Sequence, residues 1–147
     1  MIKNSEVNAK IAESFRETND CNVRAMANAL GINYRQAHAY HKKRGRKNRR
    51  GTSGLIVRDV IKDYAKEIFI VQKKYIALIP QVMEIIESAD LPRTVNQFTK
   101  DKRFQKGRFI VYVRGHAIAI VDGKTQDWVS ENRQHRIVFF IKVKKER

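Results

Sequence analysis

A chain of 147 residues with 42% hydrophobic and 31% charged side chains can bury one folded core and is too apolar for a disordered polymer. It holds no run of 18 apolar residues and opens Met1-Ile-Lys-Asn-Ser-Glu6 with no apolar signal core, which argues against a membrane span or secretory leader and for the cytoplasm. Thirty-one lysines and arginines against 15 acids give a formal net charge of +16, so DNA or RNA is an expected partner at moderate salt.

In chain order, Val7, Ile11, Ala12 and Phe15 recur at helical spacing from Asn4 to about Glu17, and that pattern predicts an amphipathic helix. Asn19 or Asp20 can cap a second helix with Val23, Ala25, Met26, Ala29 and Leu30 as its apolar stripe, ended by Gly31. Asn33 caps a third, with Tyr34, Ala37, His38 and His41 on one side. It runs into a segment with seven cations and no acid: Lys42, Lys43, Arg44, Arg46, Lys47, Arg49 and Arg50. Such a run is either a solvated face or a nucleic-acid-binding surface.

After a glycine-marked loop, Leu55 to Tyr64 reads as a helix. Ile68–Val71 and Tyr75–Ile79 suit either a strand or a helix, and Gln81 to Ala89 looks helical. Thr94 caps a short helix from Val95 to about Lys100. Beyond Gly107 the chain turns to strands: Phe109–Val113, His116–Val121, Lys124–Val129 and Arg136–Lys144. Asp122-Gly123 is a two-residue hairpin signal. Helices followed by strands predict an α+β fold. It would be a single domain over 1–147, with a helical part at about 4–64, an ambiguous middle at 65–106 and an antiparallel sheet at 107–144 that receives the helices.

The lone cysteine, Cys21, excludes an internal disulfide and is either a small core residue or a nucleophile. It falls in the first turn of the second helix, where open backbone N–H groups and the helix dipole favour a thiolate. Adjacent Asp20 would oppose this unless its carboxylate is turned away. If the hairpin has a two-residue loop, His116 and Asp127 lie on one face as diagonal neighbours about 7 Å apart, so the carboxylate can orient the imidazole. Asp122 competes for that role, but as a turn residue its ordinary work is in the hairpin. Four histidines and one cysteine lack paired metal-ligand spacing, so no metal is expected, and hydrolysis by a thiol needs no cofactor.

The blocks Asp20-Cys-Asn-Val-Arg-Ala-Met-Ala-Asn-Ala-Leu30, Tyr34-Arg-Gln-Ala-His38, Gly45-Arg-Lys-Asn-Arg-Arg-Gly-Thr52, Pro92-Arg-Thr-Val-Asn-Gln-Phe98 and Gly107 through Trp128 resemble a phage-associated family of papain-like cysteine peptidases and hydrolases. That family is distantly similar to double-glycine leader peptidases. The resemblance spans about residues 19 to 143, with a poorly matching middle at 63 to 90. It implies a papain-like fold, Cys21 as nucleophile, His116 as general base and then acid, Asp127 as orienter, a protein or peptide substrate, and work in the host cytoplasm. Papain-like enzymes usually place a glutamine about six residues before the cysteine. Phe15 stands there, so Asn19 or the Cys21 N–H would serve the oxyanion.

Two other readings use the same residues. Ala27-x-x-x-Gly31 between two helices looks like a helix-turn-helix over about 21–43, in which Asn33, Arg35, Gln36 and His38 would face a DNA groove and Cys21 would be core. Alternatively, a papain-like fold carries a basic face for DNA or RNA, with Tyr112 and Phe140 stacking on bases beside Arg114 and Lys142.

Overall fold

A computed structural model of the chain describes residues 20–47, 54–73, 84–114, 116–126 and 135–144. The expected helix at 4–17, Asn19, Arg49, Arg50, the run 75–79 and Asp127 lie outside them. Helix α1 (Cys21–Leu30) buries every apolar residue of the expected stripe, and Gly31 ends it in the left-handed region at φ 71°. Helix α2 (Tyr34–Lys43) opens with a capping box: the Asn33 side chain accepts from the Arg35 N–H at 2.6 Å, and the Gln36 Oε1 accepts from the Asn33 N–H at 3.0 Å. His41, Lys42 and Lys43 fill its last turn, where cations suit the dipole. Helix α3 (Gly54–Tyr64) buries Ile56, Val57, Val60 and Ile61.

The strands are β1 (Ala65–Ile70), β2 (Ile85–Glu87), β3 (Arg108–Val113), β4 (His116–Val121), β5 (Lys124–Thr125) and β6 (Ile137–Val143). They form a sheet in the order β2-β1-β6-β3-β4-β5. Two expectations are corrected. The strands of 108–143 pair antiparallel as expected, but the sheet extends into the middle of the chain and is mixed as a whole, because β2 runs parallel to β1, and residues 85–87 are a strand rather than part of a helix. Ile85 and Ile86 pair with Ile68 and Phe69, so β-branched residues complete one edge of the sheet, a tertiary demand that local periodicity does not report. The middle of the chain thus contributes β1 to the centre of the architecture, antiparallel to β6.

The two faces of this sheet bury different side chains. Ile110, Tyr112, Ala117, Ala119, Phe139 and Ile141 share a core with α1, α2 and α3. On the other face Phe69, Phe109 and Phe140 meet Phe98 of α4 (Val95–Lys100) and Phe104 of the following 3-10 turn. Phe69 stacks on Phe140 with ring centroids 4.6 Å apart, and Phe98 meets Phe140 edge-on at 5.0 Å. As its sequence position suggests, Thr94 caps α4 by accepting from the Gln97 N–H at 3.1 Å. Tyr112 and Phe140, read above as possible base-stacking groups, are core residues: Tyr112 is stacked on Phe139 at 4.5 Å and Phe140 is fully buried.

Helix α1 runs beside β4 in the same direction. Its start meets the first residues of β4, and at its end the Arg108 guanidinium donates to the carbonyls of Asn28 and Ala29 at 3.3 and 3.2 Å. Arg108 pairs with Val121, the last residue of β4. A cation on the final carbonyls satisfies orphan acceptors and complements the dipole. The helix side contributes Ala25 and Ala29 and the strand side Ala117 and Ala119 to one buried core, and such small side chains suit a helix packed along this strand.

In the last turn of α2, His41 is 1% exposed, and burial, then the charges of Arg46, His38 and Arg44, lower its pKa to about 4. An unfolded histidine titrates near 6.5, so between these values the unfolded chain binds a proton that the folded chain refuses. Folding stability is therefore complete above pH 6.5 and falls as the pH drops toward 4, by on the order of 3 kcal/mol. Urea unfolding across that window is expected to show this loss in the native protein and a flatter profile in His41→Leu. Equal slopes would refute it.

Candidate active site

Cys21 is the first residue of α1 and is half-buried. The helix begins its internal ladder with the Arg24 N–H donating to the Asp20 carbonyl at 3.0 Å, which leaves the amides of the first turn directed toward the same end as the thiol. His116 opens β4 and pairs with Val113, the last residue of β3. Along β4, Ala117 and Ala119 face α1 while Ile118 and Ile120 face the phenylalanine layer. His116 sits at the strand's end, from which its ring reaches the thiol.

The structure brings these two side chains together. The Cys21 sulfur is hydrogen-bonded to the His116 side chain and receives the backbone N–H groups of Ala117 and Asn22, while the Asn22 Nδ2 lies 3.8 Å away. Burial pushes the thiol pKa up, but the His116 hydrogen bond, the Ala117 amide, the His116 charge and the Asn22 amide together outweigh it. The thiol lies below the ordinary cysteine value. A thiolate held by an imidazolium and two amides can attack a carbonyl carbon near neutral pH.

Asp20, the neighbour that would oppose a thiolate, is drawn off. Its side chain makes no cap to α1; instead its Oδ2 accepts from the Arg24 Nε at 3.0 Å and the Tyr34 hydroxyl at 2.9 Å. Carboxylate and guanidinium are both largely buried, so each neutralises the other where solvent cannot.

The hairpin beyond β4 has the expected register, Val121 opposite Lys124 and Ile120 opposite Thr125. Asp122 at φ 50° and Gly123 at φ 79° form its turn, as a two-residue hairpin requires. Asp122 accepts from the Gly107 N–H at 3.0 Å, at the opposite end of β4 from His116, so its work is in the turn. Gln126 is held on both sides: its N–H donates to the Ala119 carbonyl at 2.9 Å, and its carbonyl accepts from the buried Asn28 at 3.2 Å. Asp127 and the oxyanion candidate Asn19 lie outside the described residues.

The basic run is not uniform. Lys42, Lys43 and Lys47 are exposed. Arg44 lies over the Tyr40 ring at 3.5 Å and pairs with Asp59 and Asp63 at 3.6 and 3.5 Å. Arg46 is buried. Among the four residues of the helix-turn-helix reading, Asn33 and Gln36 are engaged in the capping box, His38 is buried beside Tyr34, and Arg35 is exposed. Among the described residues no three His, Cys, Asp or Glu side chains gather as a metal site requires, and no helix is long and apolar enough to cross a membrane.

Residue reading alone missed four residues around the thiol and its neighbours. The Ala117 amide follows from the Val113–His116 turn register, which Arg114-Gly115 could have signalled. Tyr112, the strand partner of Ala117, follows from the same register. The Arg24 and Tyr34 contacts to Asp20 carry no local signal for the tyrosine, which is 14 residues away. Comparison with known proteins finds no match among family models, curated proteins or solved structures.

Iodoacetamide is expected to alkylate Cys21 with a pH midpoint below that of a free thiol, and His116→Ala should move that midpoint upward, because burial then acts with less opposition. An unchanged midpoint would count against the pairing. Arg24→Met, which strands a buried carboxylate beside the thiol, should destabilise the fold by roughly 3 kcal/mol and raise the same midpoint. Asp20→Asn in the Arg24→Met background should recover part of both, measured by urea unfolding and alkylation rate.

Proposed function

We propose that the chain is a papain-like cysteine hydrolase of the phage-associated kind its motifs resemble, acting on an amide, isopeptide or thioester bond of a protein or peptide in the host cytoplasm. The observation that carries this reading is the hydrogen bond between a helix-start thiol and a strand-start imidazole, with the thiol held below its ordinary pKa. In this account the Cys21 thiolate adds to the carbonyl carbon, and the carbonyl π pair moves to oxygen. As the tetrahedral adduct collapses, the bond to the leaving group breaks and the His116 imidazolium supplies its proton, leaving a thioester. His116 then takes a proton from water as it attacks the thioester, and collapse of the adduct breaks the carbon–sulfur bond, releasing the carboxylic acid and restoring the Cys21 thiolate beside the His116 imidazolium. Asp127 is assigned the orientation of the His116 ring, and amides of the first turn of α1, with Asn19, the oxyanion.

An electrophilic acyl probe should label the native protein once per chain and leave Cys21→Ala unlabelled. His116→Ala should slow labelling by about 10³-fold. Equal labelling of native and His116→Ala protein would refute the reading.

A second function on the same fold is favoured by the exposure of Lys42, Lys43 and Lys47 and the net charge of +16: backbone-directed binding of DNA or RNA through a basic face. The engagement of Asn33 and Gln36 and the burial of His38 favour this over groove reading by α2. Binding should then fall steeply with salt, ignore sequence, and weaken with a shallower salt slope when the three lysines become glutamine. Sequence preference abolished by Arg35→Ala would instead support the helix-turn-helix.

A further inference from the structure

Attack on a carbonyl moves negative charge from sulfur to an oxygen a bond or two away, and a donor aimed at that oxygen contributes most when it is fixed in a dry setting before reaction. No such donor is provided by Phe15, six residues before the nucleophile. The sheet carries a hydroxyl-bearing residue, Tyr112, in the same core as Cys21. Tyr112 is the cross-strand partner of Ala117, the residue whose amide meets the sulfur. Tyr112, Ala117 and the half-buried Cys21 pack in a single core. The tyrosine ring is stacked on Phe139 at 4.5 Å and 21° between planes, which fixes its direction.

We propose that Tyr112 donates a hydrogen bond from its phenol hydroxyl to the oxyanion formed when the Cys21 thiolate adds to a carbonyl, a role that rests on the hydrolase reading of this site. The sulfur's own bonds come from His116, Ala117 and Asn22, so Tyr112 adds stabilisation as the charge leaves sulfur rather than while it resides there. Burial and, after it, the charge of Cys21 hold the phenol well above its ordinary pKa. It stays a protonated donor wherever the thiolate exists, and no proton leaves it: the carbon–sulfur bond forms, the π pair moves to oxygen and returns on collapse, and the O–H bond stays intact throughout.

The test uses p-nitrophenyl acetate and the full chain. The native protein should release a burst of one p-nitrophenolate per chain that Cys21→Ala lacks; no burst from native protein would overturn the hydrolase reading itself. Given the burst, Tyr112→Phe, which keeps the stacked ring, should lower kcat by about 10²-fold with KM changed less than about threefold. Its iodoacetamide alkylation rate, alkylation midpoint and thermal unfolding should match the native protein. Unchanged kcat overturns the proposal alone. A parallel loss of alkylation also overturns it, because the tyrosine would then act on the ground-state thiol or on the fold.

Discussion

The packing of α1 along β4 in one buried core is the constraint on which the site depends. Ala25 and Ala29 on the helix and Ala117 and Ala119 on the strand allow the two backbones to lie side by side. Because they run in the same direction, the first residue of one meets the first residue of the other. A larger residue at any of these four positions would lift the helix and part the sulfur from the imidazole while leaving both elements intact. Arg108 on the last carbonyls of α1 and Asn28 on Gln126 hold the far end, so the helix is fixed both in distance and along its axis.

Electrostatics then decide what the paired groups can do. Burial alone would keep Cys21 a thiol, and the neighbouring Asp20 would reinforce it. The His116 hydrogen bond, the Ala117 amide, the His116 charge and the Asn22 amide reverse that balance, while Arg24 and Tyr34 hold the Asp20 carboxylate. The basic character of the chain plays little part here. Some of it is consumed internally: Arg44 lies on Tyr40 between two aspartates and Arg46 is buried, while Lys42, Lys43 and Lys47 are exposed around the end of α2.

Much of the fold was legible in sequence. The apolar stripe of α1, the Asn33 cap, the Gly31 stop, the Thr94 cap and the Asp122-Gly123 turn are local chemistry, settled by residues within four positions of one another. The strands after Gly107 were marked by aromatic and β-branched residues. The middle was not legible, because Ile85 and Ile86 form a strand only where β1 offers an edge. For the same reason Tyr112 and Phe140 could be read as surface stackers: alternation shows which residues share a face, and only the presence of a second layer shows that both faces are covered.

By itself, then, the sequence determined the α+β character, the helix start that carries Cys21 and the hairpin that follows His116, since caps, turns and periodicity act within a few residues. Tertiary structure alone decided that Cys21 and His116, 95 positions apart in the chain, share a hydrogen bond, that Asp20 is held by Arg24 and Tyr34, and that the sheet is mixed. Those outcomes depend on how closely two backbones pack and on which buried charge finds a partner. Both are properties of surfaces assembled from distant parts of the chain.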